Sequence, residues 1–166
     1  MKRLILSILF FGFVGNFSFS QNLLGFESFS GNDRNDFKAA EPKALEAANY
    51  LLSTAIDENL PDREKALKYM LMWMEGTPDY VFYIDGNINV FTRSNELLLK
   101  VYMACLTKLS LENRAISNDR DELKLKSVEA FMEYCLNPEN HVESYRQLEK
   151  MVKARNKNKL SEFVLN

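Results

Sequence analysis

The sequence has few of the residues from which most catalytic and metal sites are built. Its 166 residues include one histidine, two cysteines, six glycines and one tryptophan. A single histidine excludes a zinc site with several histidine ligands. Neither a Gly-x-Ser-x-Gly elbow nor a glycine-rich phosphate loop is present. The 21 basic residues do not outnumber the 23 acidic ones, so there is no basic surplus for binding a nucleic acid backbone.

His141 is therefore the only candidate for imidazole acid/base chemistry. It follows the sequence Asn-Pro-Glu-Asn, and Glu139 and Glu143 lie close to it in the chain. No nucleophile or metal-binding pattern accompanies it, so we expect a surface histidine in the first turn of a helix. An enzyme that relies on His141 is the least favoured interpretation.

The N-terminal residues 1–20 have the pattern of a cleaved export signal. Lys2 and Arg3 precede an almost unbroken apolar run, and Ser18 and Ser20 form a small-x-small cleavage site. The run, about 12 residues long, is shorter than the roughly 20 residues that cross a membrane. No cysteine lies at the cleavage point to accept a lipid. We therefore predict a secreted or periplasmic protein with no membrane span after signal cleavage.

The mature chain has the length of one domain. Removal of residues 1–20 from the 166-residue chain leaves 146 residues, which is enough for a single hydrophobic core. Residues 21–36 are polar and contain glycine, so we predict a flexible lead-in there. Residues 37–166 are then predicted to form a single helical domain.

The two cysteines, Cys105 and Cys135, lie on the apolar faces of consecutive predicted helices. An oxidising compartment favours a disulfide between them. If the two helices form an antiparallel hairpin, the cysteines lie about 13 Å apart along it, beyond the roughly 7 Å limit for a bridge. We expect two buried thiols, and a disulfide is the alternative.

Apolar residues recur every three or four positions through most of the mature chain, which predicts an all-α fold of five or six helices. The predicted starts fall near residues 43, 62, 94, 120 and 141, and a short sixth helix is expected near residue 160. The third helix is apolar over roughly 260° of its circumference, so it should be the central one. Helix pairs joined by short turns suggest a single-domain bundle or a short stack like that of helical-repeat proteins.

Residues 80–91 lack the helical period. Two β-favouring runs flank Asp85-Gly86, a dipeptide that is typical of hairpin turns. A small hairpin or an ordered loop is therefore expected in this segment.

A weak calcium-binding pattern overlaps the same segment. Asp85, Asn87, Asn89 and Glu96 occupy positions 1, 3, 5 and 12 of a calcium loop if Asp85 is counted first. The pattern departs from the usual loop because Val90 stands where the tight turn needs glycine. A helical module stabilised by calcium is therefore kept as an alternative function.

Residues 70–74 are apolar on every side of the second predicted helix. If Leu67, Met70 and their neighbours face the core, Tyr69 and Met72 point away from it and Trp73 lies at the edge. Flexible thioethers beside aromatic rings suit an adaptable contact surface. Either residues 80–91 fold back over these side chains, or the side chains bind a protein or small-molecule partner in the cell envelope.

Three stretches carry a resemblance: WMEGTPDY (residues 73–80), YMACLTK (residues 102–108) and LEN (residues 111–113). They resemble a group of small secreted all-helical proteins of Bacteroidetes-type bacteria to which no activity is assigned. The resemblance implies export and a single helical domain, but it implies no site residue and no cofactor. The leading interpretation is an exported, non-catalytic helical domain that works by binding.

Overall fold

The computed structural model describes residues 25–26, 29–56 and 60–166, and these residues form eight α-helices and one 3-10 turn. The segment predicted as an export signal, residues 1–20, lies outside these ranges. In chain order the helices are α1 (Arg34–Ser53), α2 (Pro61–Gly76), α3 (Gly86–Phe91), α4 (Glu96–Glu112), α5 (Arg114–Ser117), α6 (Arg120–Leu136), α7 (Arg146–Asn156) and α8 (Leu160–Leu165), and the 3-10 turn is Pro138–Asn140. No strand occurs in the described residues, which confirms the all-α class. None of the described helices combines the length and the apolar character that a membrane span requires.

Helix α1 begins within the segment predicted as a flexible lead-in. The Asp33 carboxylate accepts hydrogen bonds from the backbone N–H groups of Asn35 at 2.7 Å and Asp36 at 3.1 Å, and the Asp36 carboxylate accepts from the backbone of Asp33 in return. This capping box satisfies amides at the helix start that have no partner within the helix. Phe26 of the lead-in is also buried, with 6% of its surface exposed. Part of the lead-in therefore belongs to the folded domain.

Helix α4 is the central helix, as its wide apolar circumference predicts. It contacts α1, α2, α5 and α6. On one side the buried alanines of α1 allow close approach between helices and form a cluster with α2 and Ala104. On the other side α4 packs with α6, α7 and α8 in a second cluster. Cys105 and Cys135 are buried in this second cluster, and both are free thiols.

Residues 80–85 form an ordered loop and residues 86–91 form helix α3, so the hairpin is not formed and the expected loop is confined to the first half of the segment. The reason lies at Asp85, whose carboxylate accepts hydrogen bonds from the backbone N–H groups of Asn87 at 3.0 Å and Ile88 at 3.3 Å. An aspartate in this arrangement starts a helix. A salt bridge of 2.8 Å from Lys124 of α6 holds the same carboxylate in place.

Candidate functional site

The residues predicted as a contact surface, Tyr69, Met72 and Trp73, do not form an open patch. Trp73 is 0% exposed and Tyr69 is 9% exposed, and Met72 is half-buried. The inward face of α2 is formed by Ala66, Tyr69, Met70, Trp73 and Met74, so it is rotated relative to the face expected from the sequence. The structure therefore corrects the orientation of this helix.

Aromatic side chains from two other segments cover α2. The ring of Trp73 lies 5.4 Å from that of Tyr80 and 6.0 Å from that of Phe82, measured between centroids. The ring of Tyr69 lies 6.0 Å from that of Phe26 and 5.5 Å from that of Phe29, again between centroids. Residues 80–82 thus fold back over α2, which is the internal arrangement that the sequence left as one of two interpretations.

The four residues of the calcium pattern do not form a calcium loop. Residues 86–91 are helical, so the chain does not wrap around a central ion as such a loop does. The Asp85 carboxylate pairs with Lys124, and the exposed Glu96 carboxylate pairs with Lys100 at 2.7 Å. Asn87 and Asn89 are exposed on α3. Among the described residues no group of three or more histidine, cysteine, aspartate or glutamate side chains is placed to hold a metal ion.

His141 lies at the end of the 3-10 turn and not in the first turn of a helix. Its φ of 55° is in the left-handed region, and its side chain is exposed. It lines a small groove of about 180 Å³ together with Arg93, Glu143 and Tyr145. The Tyr145 hydroxyl in this groove donates to the Phe91 carbonyl at 2.6 Å. The groove therefore brings no nucleophile to the imidazole, and it does not have the arrangement of a catalytic pair.

The distribution of charge along the chain points to a different region. Residues 146–166 contain six lysines and arginines and two glutamates, whereas residues 1–145 contain 15 basic and 21 acidic residues. The acidic balance of the whole chain therefore hides a basic C-terminal segment. This segment forms α7, the following turn and α8.

A cleft with a volume of about 520 Å³ opens between α7 and α8. We call it the lysine cleft, and its lining residues are Lys150, Lys153, Ala154, Lys157, Lys159, Glu162, Phe163 and Asn166. The lysine side chains are exposed, whereas Ala154 and Phe163 are half-buried at its floor. The ring of Phe163 stacks on the ring of Phe91, at a centroid distance of 5.9 Å.

The local sequence brings these side chains together. Lys150 and Lys153 lie on one side of α7, and Lys157 follows at helical spacing as the residue that caps the helix C-terminus. Asn158 then adopts a left-handed φ of 54°, which asparagine tolerates better than most residues. The backbone N–H of Lys159 donates to the Ala154 carbonyl at 2.9 Å and closes the turn. This turn places α8 against α7 and completes the cleft.

The lysines of the cleft differ from the other lysines in their electrostatic environment. Six of the eight described lysines before residue 146 form ion pairs. None of the four cleft lysines has an ion-pair partner among the described residues. Glu162 is the one acidic side chain in the lining, and four lysines against one carboxylate leave a positive balance that favours the binding of an anion.

A second groove of about 350 Å³ lies beside the lysine cleft and shares Lys153 and Lys157 with it. Its apolar lining includes Leu148, Val152 and Leu136, and Leu136 is 43% exposed. Lys153 and Lys157 therefore line both the lysine cleft and this second groove.

Our interpretation of the sequence alone missed the lysine cleft. A count of charges in successive segments would have shown the basic balance of residues 146–166. The apolar floor could not be found in that way, because it depends on how α8 packs against α7. A comparison with known protein families, with curated proteins and with solved structures found no match.

Proposed function

We propose that this protein is an exported, non-catalytic binding domain and that its ligand is a small anionic amphiphile held in the lysine cleft. The observation that carries the proposal is the position of four lysines, none of them in an ion pair, around the apolar floor formed by Ala154 and Phe163. A carboxylate with an alkyl chain is the simplest ligand of this class.

The size and lining of the cleft support a small ligand. Its volume of about 520 Å³ lies within the range of roughly 300 to 1,000 Å³ that is usual for small-molecule sites. The methylene groups of the lysines and the ring of Phe163 provide apolar contact. The ammonium groups provide charge at the rim, where water remains accessible.

The lysine lining selects a ligand by its negative charge and not by the geometry of its head group. An ammonium group is a point charge on a flexible stem, whereas arginine presents a fixed fork of donors. The cleft is lined by four lysines and no arginine. A monocarboxylate meets this requirement through its single negative charge.

Calorimetric titration with sodium dodecanoate, below its micelle concentration, tests the proposal. Lys153 and Lys157 line the cleft. The double variant Lys153→Glu/Lys157→Glu should therefore raise the dissociation constant for dodecanoate about tenfold or more. The matched control is Lys65→Glu/Lys68→Glu, which makes the same change of charge on exposed positions of α2. It should change the dissociation constant by less than about twofold.

Dodecylammonium, which has the same chain and the opposite charge, separates specific binding from adsorption to apolar surface. We expect no binding of this cation in the same concentration range. Equal affinity for the two amphiphiles, or equal weakening by the two double variants, would contradict the proposal.

The pattern of residues 1–20 supports the extracytoplasmic location in this proposal. Expression of the complete chain in a Gram-negative host, followed by N-terminal sequencing of the envelope and medium fractions, tests it. The expected N-terminus is Gln21. An intact Met1 start in the cytoplasmic fraction alone would contradict export.

A further inference from the structure

The second groove lies between the C-terminal end of α6 and helix α7. Leu136 is the last residue of α6, and Val152 lies on α7. Leu136 is the most exposed apolar residue of this lining, at 43%, whereas Leu148 is buried in the core. The lysine cleft lies on the α8 side of the same helix. Helix α7 is thus flanked by two depressions that both contain apolar surface.

Lys153 and Lys157 lie between these two depressions. Around α7, Ala154 of the lysine cleft falls on one side of the two lysines, and Val152 and Asn156 of the second groove fall on the other side. Neither lysine forms an ion pair within the described part of the chain. Two positive charges therefore separate two apolar surfaces.

The second groove provides apolar contact but no positive charge of its own. Apart from the two shared lysines, its described lining contains no basic residue. Its acidic residue is Glu149, whose carboxylate accepts a hydrogen bond from the Ser144 hydroxyl at 3.3 Å. The groove is therefore suited to an alkyl chain, and the shared lysines are suited to a negatively charged head group.

We propose that the ligand has two acyl chains on one anionic head group, as in a diacyl lipid with a phosphate. The head group binds at Lys153 and Lys157, one chain lies in the lysine cleft and the other lies in the second groove. A head group at these lysines has an apolar surface on either side, and a single chain would leave one of the two surfaces in water. The inference rests on the proposed function, because it extends the same site and the same class of ligand.

The second chain should raise the affinity by a measurable factor. Burial of apolar surface favours binding roughly in proportion to the area removed from water. Part of this gain is lost because the chain becomes ordered when it binds. A second hexanoyl chain should therefore lower the dissociation constant about tenfold or more.

Calorimetric titration of the complete chain with two lipids tests the number of acyl chains. Dihexanoylphosphatidic acid and hexanoyl lysophosphatidic acid, both below their micelle concentrations, have the same phosphate head group and differ by one chain. We expect the two-chain lipid to bind about tenfold more tightly or better. Equal affinity for the two lipids would overturn the proposal.

Two further ligands test the head group. Inorganic phosphate should not displace dihexanoylphosphatidic acid in the same concentration range, because it has no chains. Dihexanoylphosphatidylcholine has the same chains without a net negative charge, and it should bind about tenfold more weakly or worse. Displacement by inorganic phosphate would show a phosphate site without lipid recognition and would overturn the proposal. Equal affinity for the two diacyl lipids would also overturn it.

A variant of the second groove separates the two chains. Leu136→Asn/Val152→Asn changes residues that line the second groove and not the lysine cleft. It should weaken binding of dihexanoylphosphatidic acid about tenfold and change the dissociation constant for dodecanoate less than about twofold. The matched control is Leu60→Asn/Val90→Asn, since both side chains are exposed and line neither depression. It should leave both affinities unchanged.

Far-UV circular dichroism establishes that each variant is folded, and Leu136→Asn alone replaces the double variant if the latter is unfolded. The single variant should weaken the two-chain lipid about threefold or more and leave dodecanoate unaffected. Equal weakening of the two ligands would contradict a separate place for the second chain. If dodecanoate binds the wild-type chain but a second acyl chain adds no affinity, the two-chain ligand is wrong and the proposed function stands. If dodecanoate does not bind at all, the proposed function itself is wrong.

Discussion

The indole N–H of Trp73 donates a hydrogen bond to the backbone carbonyl of Phe37 at 2.9 Å, which joins the end of α2 to the first turns of α1. The Phe37 ring lies against Gly76 in the last turn of α2, where a Cβ atom would overlap it. Phe37 thus holds α2 through both its carbonyl and its ring. This contact explains why Trp73 is a core residue although it lies in an apolar stretch without a clear inward face.

Substitution of Trp73 should therefore affect stability strongly. We expect Trp73→Ala to lower the free energy of unfolding by about 3 to 5 kcal/mol, because it removes a fully buried aromatic side chain. Met72→Ala, on the same helix but half-buried, should cost about 1 kcal/mol. Urea unfolding followed by far-UV circular dichroism measures both values. Equal losses would contradict the difference in burial.

Tyr102 and Tyr145 are both buried, but only Tyr145 has a hydrogen-bond partner for its hydroxyl in the described structure. Tyr145→Phe should lower the free energy of unfolding by about 1 to 2 kcal/mol, because the bond to the Phe91 carbonyl is lost. Tyr102→Phe removes a buried hydroxyl that forms no bond, so stability should be unchanged or should rise by about 1 kcal/mol. A loss at Tyr102 as large as that at Tyr145 would show that its hydroxyl has a partner.

The ion pair between Asp85 and Lys124 predicts a dependence of stability on pH. Burial raises the pKa of Asp85, but hydrogen bonds from Lys124 and from the backbone of Ile88 and Asn87 lower it further than burial raises it. The native pKa thus lies below that of the unfolded chain, so the stabilisation is complete above the unfolded value of about 4. It is lost as the pH falls through the native pKa.

The variant Asp85→Asn isolates the charge, because asparagine also caps a helix well. At about pH 6 the wild-type chain should be more stable than this variant, and the difference should shrink as the pH falls below about 4. Chemical denaturation at several pH values provides the measurement. A difference that does not change with pH would contradict the role of the carboxylate charge.

Burial should make both cysteines unreactive in the folded protein. Burial raises the pKa of Cys105 well above its usual range, and it raises the pKa of Cys135 to about 12. Since the thiolate is the reactive form, we expect no reaction with Ellman's reagent at about pH 8 until guanidinium unfolds the chain, when two thiols should react. Ser161→Cys introduces an exposed thiol on α8 as a positive control. Detection of fewer than two thiols after unfolding would contradict the free thiols of the structure.

The helical pattern could be predicted where the apolar period was clear. The all-α class and the central position of α4 follow from the spacing of apolar residues. Helix α6 begins at the predicted residue 120, where the Asp119 carboxylate accepts hydrogen bonds from the backbone N–H groups of Asp121 and Glu122. The start of α1 was missed, because Asp33 lies in a polar stretch that contains glycine, and composition there favours a loop.

The face of α2 could not be predicted for a different reason. Residues 70–74 are apolar all around, so the helical period does not select an inward side. The choice depends on Tyr80 and Phe82, which return over Trp73 after a turn. For the same reason the lysine cleft could not be recognised as a site, since its floor includes Phe163, whose position is set by Phe91 in a distant part of the chain.

The sequence by itself determined the helical class, the central helix and the basic character of residues 146–166, because these properties depend on local spacing and on charge counts. Only the tertiary structure decided that Trp73 is buried, that Asp85 starts a helix and that four lysines meet around an apolar floor. Each of these outcomes includes a contact between distant residues: Phe37 with Trp73, Lys124 with Asp85, and Phe91 with Phe163 at the floor of the cleft. Such contacts override local preference when they bury apolar surface or satisfy a charge.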